Sequence, residues 1–332
     1  MEEANFEFQE EEEAIIRVAA FHCQDYDQAV VWSEPHKHDP VLPSIVEPFA
    51  TSPACETSVL GRLPIELIFA VCLLLDVRSC FHLRQANRRA RCIVSSLNEY
   101  RAVATHGLEA LRAALRTGIA SRLTITDLYQ PLCMRDCVIC GSFGGFLFLP
   151  TATRCCFACI GNAHRLHVVS LSAISKASWI PRRQLRGMLP VLHILPGTYS
   201  IEKKRCYGLE HLVGREQAIA FLRSIRYYID ASIPSHPLGR YAASTALPYF
   251  DRATSRIENG LSCKGCRITA EENYFGVEDF CDQVYSRAAY LHHFRFCTGA
   301  KRLWDDSRGG FVATKEPVLP WRGGRIWFFS DS

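Results

Sequence analysis

Two Cys-x-x-Cys pairs, "CVIC" at 137–140 and "CFAC" at 156–159, constrain this chain more than any other feature. Each pair can grip one side of a tetrahedral metal ion while the residues between them close the site as a hairpin. Gly141 follows the first pair, where a tight turn needs a permissive backbone, and Gly144 and Gly145 can turn the chain into the apolar strand "FLFL" at 146–149. Four soft thiolates suit zinc, so Cys137, Cys140, Cys156 and Cys159 are the expected ligands of one structural ion. Cys133 and Cys155 fall outside the paired spacing, and His164 and His167 are the alternative donors nearby.

A second group places Cys263 and Cys266 in "CKGC" and His293 and Cys297 in "HHFRFC". Residues four apart share a helix face, so a helix over this last stretch lets His293 and Cys297 offer nitrogen and sulfur to one ion, completing a Cys3His site. Cys281 is the rival ligand, and His292 points about 100° away on the same helix. Two structural zinc ions are therefore expected. A hydrolytic zinc keeps a coordination position open, whereas four protein ligands close the shell, so no catalysis is expected at either group. A redox role for each Cys-x-x-Cys leaves unexplained why the pairs come in twos. The groups also lie too far apart in the chain for the compact interleaving of a RING. Arg135, Arg154, Arg165, Lys264 and Arg267 stand where they can offset thiolate charge.

Composition limits the rest. The chain has 332 residues, 48% of them apolar, enough for about two domains with real cores. A net charge of +4 with 22% charged residues gives no strong field for nucleic acid or an anionic membrane. The acidic start "MEEANFEFQEEEE" has no secretory or transit character, which predicts a cytoplasmic or nuclear protein. In such a reducing compartment the 16 cysteines are metal ligands or buried thiols, not disulfides. The longest apolar run, "LIFAVCLLL" at 67–75, is nine residues, short of the ~18 of a membrane span. There is no Gly-x-Ser-x-Gly elbow, Walker loop or His-Glu-x-x-His.

Residues 1–58 read as a mobile, acidic, Pro-containing arm with a short helix near 14–20. From residue 60 the chain turns rich in Leu, Ala and Arg and reads as successive helices, with Pro64 at a first helical position and Asp76 and Ser79 as cap and break. "SRLTITDL" at 121–128 reads as a short strand, "SLSAISKAS", "PRRQLRGML" and "REQAIAFLRSI" as helices. The basic cluster Arg84, Arg88, Arg89 and Arg91 reads as a solvated helical face.

Within the helical run, "LPIELIFAVCLLLDVRSCFHLRQANRRAR" at 63–91 resembles the F-box, a helical module of about 40 residues. Leu63, Pro64, Glu66, Leu67, Leu75, Asp76, Leu83, Arg84 and Gln85 match its pattern, while the smaller Cys80, Ala86 and Ala90 stand at positions of Leu, Val and Trp character. With "FGGFLFLPTATRCCFAC", "LPGTYS" and "CKGC", residues 60–310 look like F-box proteins of filamentous fungi. The resemblance implies an α+β, mainly helical chain: an F-box bundle at 59–101, a zinc-stabilised α+β domain with short strands at 102–310, and a tail at 311–332. It also implies a non-catalytic substrate receptor of an SCF-type ubiquitin ligase. Leu63, Pro64, Glu66, Leu67, Leu75 and Leu83 would dock on a Skp1-type adaptor, and through it a cullin, while the zinc-stabilised region holds an unidentified target protein. The alternative is a zinc-dependent nucleic-acid-binding regulator, which the small net charge disfavours.

Overall fold

In the computed structural model, residues 2–34, 39–47, 63–208, 210–225, 233–272 and 283–317 are described, with side chains from residue 11 onward. The expected arm is instead folded onto the rest of the chain over its first half. Helix α1 (Glu2–Ala19) leads into strand β1 (Ala20–Phe21) and helix α2 (Gln24–Gln28). Ile15, Val18 and Ala19, at i, i+3 and i+4, form the buried face of α1. Cys23, Tyr26, Val30 and Val31 enter the main core. Helix α3 (Leu42–Val46) follows, and residues 48–62 lie outside the described residues.

Five consecutive helices come next: α4 (Ile65–Leu74), α5 (Val77–Ala86), α6 (Arg88–Ser96), α7 (Asn98–His106) and α8 (Leu108–Thr117). Pro64 sits just outside α4 rather than at its first helical position. The Asp76 carboxylate accepts the Ser79 N–H at 2.9 Å to cap α5, and Asn87 accepts the Ala90 N–H at 2.8 Å to cap α6. Gly118, at φ 78°, ends α8 in the left-handed conformation that glycine adopts without penalty.

The basic cluster is not a uniformly solvated face. Arg84 is buried and donates to Ser95 Oγ (3.0 Å) and to the carbonyls of Ser44 (2.6 Å) and Glu47 (2.8 Å). Arg91 donates to the same two carbonyls, so the two guanidinium groups clamp the end of α3 onto the bundle. Arg88 is exposed.

The segment expected as a strand is helix α9 (Ile125–Leu132). Thr124 accepts the Asp127 N–H, and the Asp127 carboxylate accepts the Thr124 N–H at 2.7 Å, a capping box that overrides the β-branched character of "TIT".

The rest of the chain is α+β. It runs through β2 (Phe146–Phe148), β3 (Thr153–Cys155), α10 (Phe157–Asn162), β4 (Val168–Ser170), α11 (Leu171–Ser178), α12 (Arg182–Met188), β5 (Leu192–His193), β6 (Gly197–Tyr199), β7 (Lys204–Cys206) and β8 (His211–Gly214). There follow α13 (Arg215–Ser224), α14 (Gly239–Ala242), β9 (Ser244–Ala246), β10 (Tyr249–Asp251), β11 (Arg256–Glu258) and β12 (Ser262–Cys263). The last three described helices are α15 (Lys264–Glu272), α16 (Arg287–Phe294) and α17 (Thr298–Asp306). Among the described residues the named strands pair antiparallel, in small sheets ordered β3-β2-β9, β4-β8-β5, β6-β7, β10-β11 and β1-β12, and a single parallel bridge joins Val31 to Thr245 of β9.

Helices thus dominate small sheets. One buried cluster includes Ile68 and Val94 together with Leu132, Phe148 and Leu212, so packing continues across residue 101 without a break. Two smaller clusters gather around α1, α15, α16 and α17, and around α11, α12 and α13. Among the described residues, no helix is long and apolar enough to cross a membrane.

Candidate metal centres

The seven cysteines and one histidine singled out by spacing converge into two groups of four. Cys137, Cys140, Cys156 and Cys159 form one, and Cys263, Cys266, His293 and Cys297 the other; within each, the donor atoms lie within 4.8 Å of one another.

The first centre is built by the α9–β2 loop and the start of α10. Cys137 N–H donates to the Ser142 carbonyl (2.6 Å) and Gly141 N–H to the Cys137 carbonyl (2.9 Å), curling the loop so that both sulfurs face inward. Gly141 takes φ 76° to close that curl. A side chain on Gly144 would press on the Cys137 backbone nitrogen at 3.1 Å. Strands β2 and β3 are the predicted hairpin, with Phe146 opposite Cys155, and they carry the chain back to Cys156. Cys156 caps α10, its sulfur accepting the Cys159 N–H at 3.4 Å, and Ile139 N–H approaches Cys137 Sγ at 3.4 Å. Cys140 and Cys156 sulfurs are 3.5 Å apart.

These donors suit a cation better than they suit each other. A hydrogen bond from Cys156 holds the Cys137 thiol down at about 4, whereas Cys156 is pushed well up in giving it, and burial pushes Cys159 up to about 12. The four sulfurs cannot all be thiolates at neutral pH without a positive charge among them. Sulfurs about 2.3 Å from a tetrahedral ion lie about 3.8 Å apart, close to the spacing present.

In the second centre, β12 supplies Cys263 while β1 pairs alongside it, Ala20 opposite Cys263. Cys266 lies in the first turn of α15, its N–H donating to Cys263 Sγ at 3.4 Å. The expected single helix across His293 and Cys297 is broken: α16 ends at Phe294 and Cys297 caps α17, its sulfur accepting the Ala300 N–H at 3.4 Å. The four-residue spacing still works, because Cys297 N–H bonds the His293 carbonyl at 3.0 Å.

Sulfur separations are 3.8 Å for Cys263–Cys297 and 3.6 Å for Cys266–Cys297, and His293 Nε2 is 3.3 Å from Cys266 Sγ. Hydrogen bonding with Cys263 raises His293 to about 9, and that with Cys263 lowers Cys297 strongly, so metal binding here would displace protons.

Two residues that ligand spacing does not reveal complete this centre. The Tyr285 hydroxyl lies 3.3 Å from His293 Nδ1, with its ring stacked on the imidazole at 4.7 Å, which orients Nε2 toward the sulfurs. Tyr290 is fully buried, and burial pushes its hydroxyl well up, with Cys263 and Cys297 nearby adding to the rise. An aromatic pair eight and three residues before a ligand is the only sequence trace of them.

The other candidates stand apart. Cys155 is fully buried in β3 and outside the donor group. His164 and His167 face each other edge-on at 5.0 Å without joining it. His292 is exposed against Phe296, and Cys281 lies outside the described residues. Of the five basic residues expected to offset thiolate charge, Arg135, Arg165, Lys264 and Arg267 each have a carboxylate beside them, Asp136, Glu216, Glu316 and Asp25 respectively. Arg154 is buried beside Cys155, its guanidinium donating to the carbonyls of Pro131 and Pro248.

Each centre offers four protein donors, which fills a tetrahedral shell and leaves no position for a substrate. Both groups can hold a metal ion.

The six positions read as adaptor contacts divide by exposure. Leu63, Pro64, Glu66 and Leu67 are exposed, whereas Leu75 and Leu83 are half-buried against the main core. No protein-family model, curated protein or solved structure matches the chain.

Proposed function

We propose that the chain holds two structural zinc ions and serves as the non-catalytic substrate-recognition subunit of an SCF-type ubiquitin ligase in the cytoplasm or nucleus. Helices α4 to α6 dock on a Skp1-type adaptor, and through it a cullin, while the metal-pinned remainder presents a target protein. Zinc is the ion because three or four thiolates with at most one imidazole, closed in a tetrahedron, are its structural signature.

One observation carries the adaptor reading. Helix α4 is apolar on both faces: Ile68 and Cys72 enter the core, while Leu67, Val71 and Leu74, at i, i+4 and i+7, face solvent with Leu74 83% exposed. Leu63 and Ile65 extend this exposed stripe toward the helix start. A water-facing helix side is ordinarily polar, so a continuous apolar stripe marks a surface that another protein covers. Co-expression with a Skp1-type adaptor tests the reading. The native chain should co-purify with it, and Leu63→Ala with Pro64→Glu should abolish capture; undiminished capture by that double variant would refute the reading.

A further inference from the structure

No Asp or Glu occurs between Asp136 and Glu202, although Arg154, Arg165, Lys176, Arg182, Arg183 and Arg186 do. Arg154 is buried and Arg165 lies 3.9 Å from Glu216. The other four cations project from one helical corner, formed where α11 turns into α12, and all four are exposed. Arg122 joins them by donating to the Gly187 carbonyl at 2.8 Å. Among the described residues, no carboxylate is paired with any of these five.

The corner is held in a fixed shape. Ser178 Oγ donates to the Ile174 carbonyl (2.8 Å) and Ser175 Oγ to the Ile180 carbonyl (2.7 Å), while Leu185 is fully buried beneath. Between them Trp179 adopts φ 57°, ψ 11°, a left-handed conformation that costs a residue with a side chain roughly 1 kcal/mol. This bend leaves the indole 87% exposed. Met188, at the far end of α12, is also exposed.

Trp, Met and Arg are the residues enriched where proteins meet, and Asp, Glu and Lys the ones depleted there. The corner shows the enrichment in Trp179, Met188 and four arginines and the depletion in the absence of Asp and Glu, with Lys176 its one departure. A nucleic acid is less well matched, since a net charge of +4 gives the chain no strong field for a phosphate backbone.

We propose that this corner is the face that receives the target, and that it takes an acidic protein segment carrying one aromatic or aliphatic anchor. Carboxylates of the segment pair with the guanidinium groups, and its apolar side chain packs on the Trp179 indole. This deepens the receptor reading and rests on it for the word target.

The test is fluorescence anisotropy on the full chain. The probe is a short labelled peptide with a single Phe flanked on both sides by Glu; a Gln-for-Glu counterpart, an oligothymidylate and phosphatidylserine vesicles are compared with it. The acidic peptide should bind best and weaken with salt, and both Trp179→Ala and the pair Arg182→Glu with Arg186→Glu should weaken it about tenfold or more. All three substituted residues are exposed, and unchanged circular dichroism verifies the fold. Equal binding by the variants, no peptide binding, or tighter binding of oligothymidylate or vesicles would overturn the proposal. Adaptor capture, measured on the same samples, should be unaffected by these substitutions. Its failure in the native chain counts against the receptor reading, while the peptide result still decides this one.

Discussion

Gly265 and Gly299 show how single residues set the second metal centre. A Cβ on Gly265 would lie 2.2 Å from the Ala300 backbone nitrogen, and one on Gly299 would lie 2.7 Å from the Gly265 carbonyl oxygen. These glycines let the first turns of α15 and α17 touch, which brings Cys263, Cys266 and Cys297 together. Because the clash is with backbone, Gly265→Ala should destabilise the fold by about 1–3 kcal/mol and loosen one metal ion. Thermal melting and metal content check this; an unchanged melting temperature would contradict it.

A second residue carries a pH signature. Burial raises the Glu109 carboxyl to about 7, against the opposing pull of Ser33, Arg112 and Arg116. The folded state therefore holds that proton more tightly than the unfolded chain does, and stability falls as pH rises from the ordinary carboxylate range through about 7. Glu109→Gln should raise the melting temperature by a few degrees at about pH 8 and less at about pH 5. The opposite order would show that the ionised carboxylate is stabilising.

At the scale of elements, the two centres were legible because ligand chemistry fixes short spacings: paired cysteines three apart name their own partners. Cys140→Ser should reduce the metal content from two ions to one, whereas Cys155→Ala, which deletes only a packed thiol, should keep both; elemental analysis of the purified variants decides. Losing that ion should also unfold the β2–β3 hairpin, since structural zinc contributes free energy comparable to a domain's net stability.

Helix α9 was not legible, because "TIT" reads as β-branched until the Thr124–Asp127 capping box is considered. The break between α16 and α17 was hidden for a related reason, since a cysteine that caps a helix looks like one that continues it. Tyr285 was invisible because its role depends on a ring stack, which no spacing rule encodes.

Across the whole molecule, the sequence conveyed class but not continuity. The mainly helical α+β character follows from local periodicity. The placement of residues 2–34 does not: β1 pairs with a strand more than two hundred residues later, and the acidic start masks the small apolar stripe of α1. Because α1 packs in the same cluster as Cys263, removing the second ion should release the N-terminal helix as well. Limited proteolysis with a chelator should therefore cut within α1, around Ile15 to Ala19, before it cuts α7 or α8.

The same long-range packing joins the α4–α6 bundle to the first metal centre in one core, leaving the stripe of Leu67, Val71 and Leu74 on the outside. Native mass spectrometry of the full chain mixed with a Skp1-type adaptor reads both halves of the account at once. The predicted species is one chain, two zinc ions and one adaptor, with the adaptor alone lost on Leu67→Asp with Leu74→Asp. A chain without zinc, or an adaptor complex indifferent to those two substitutions, would contradict it.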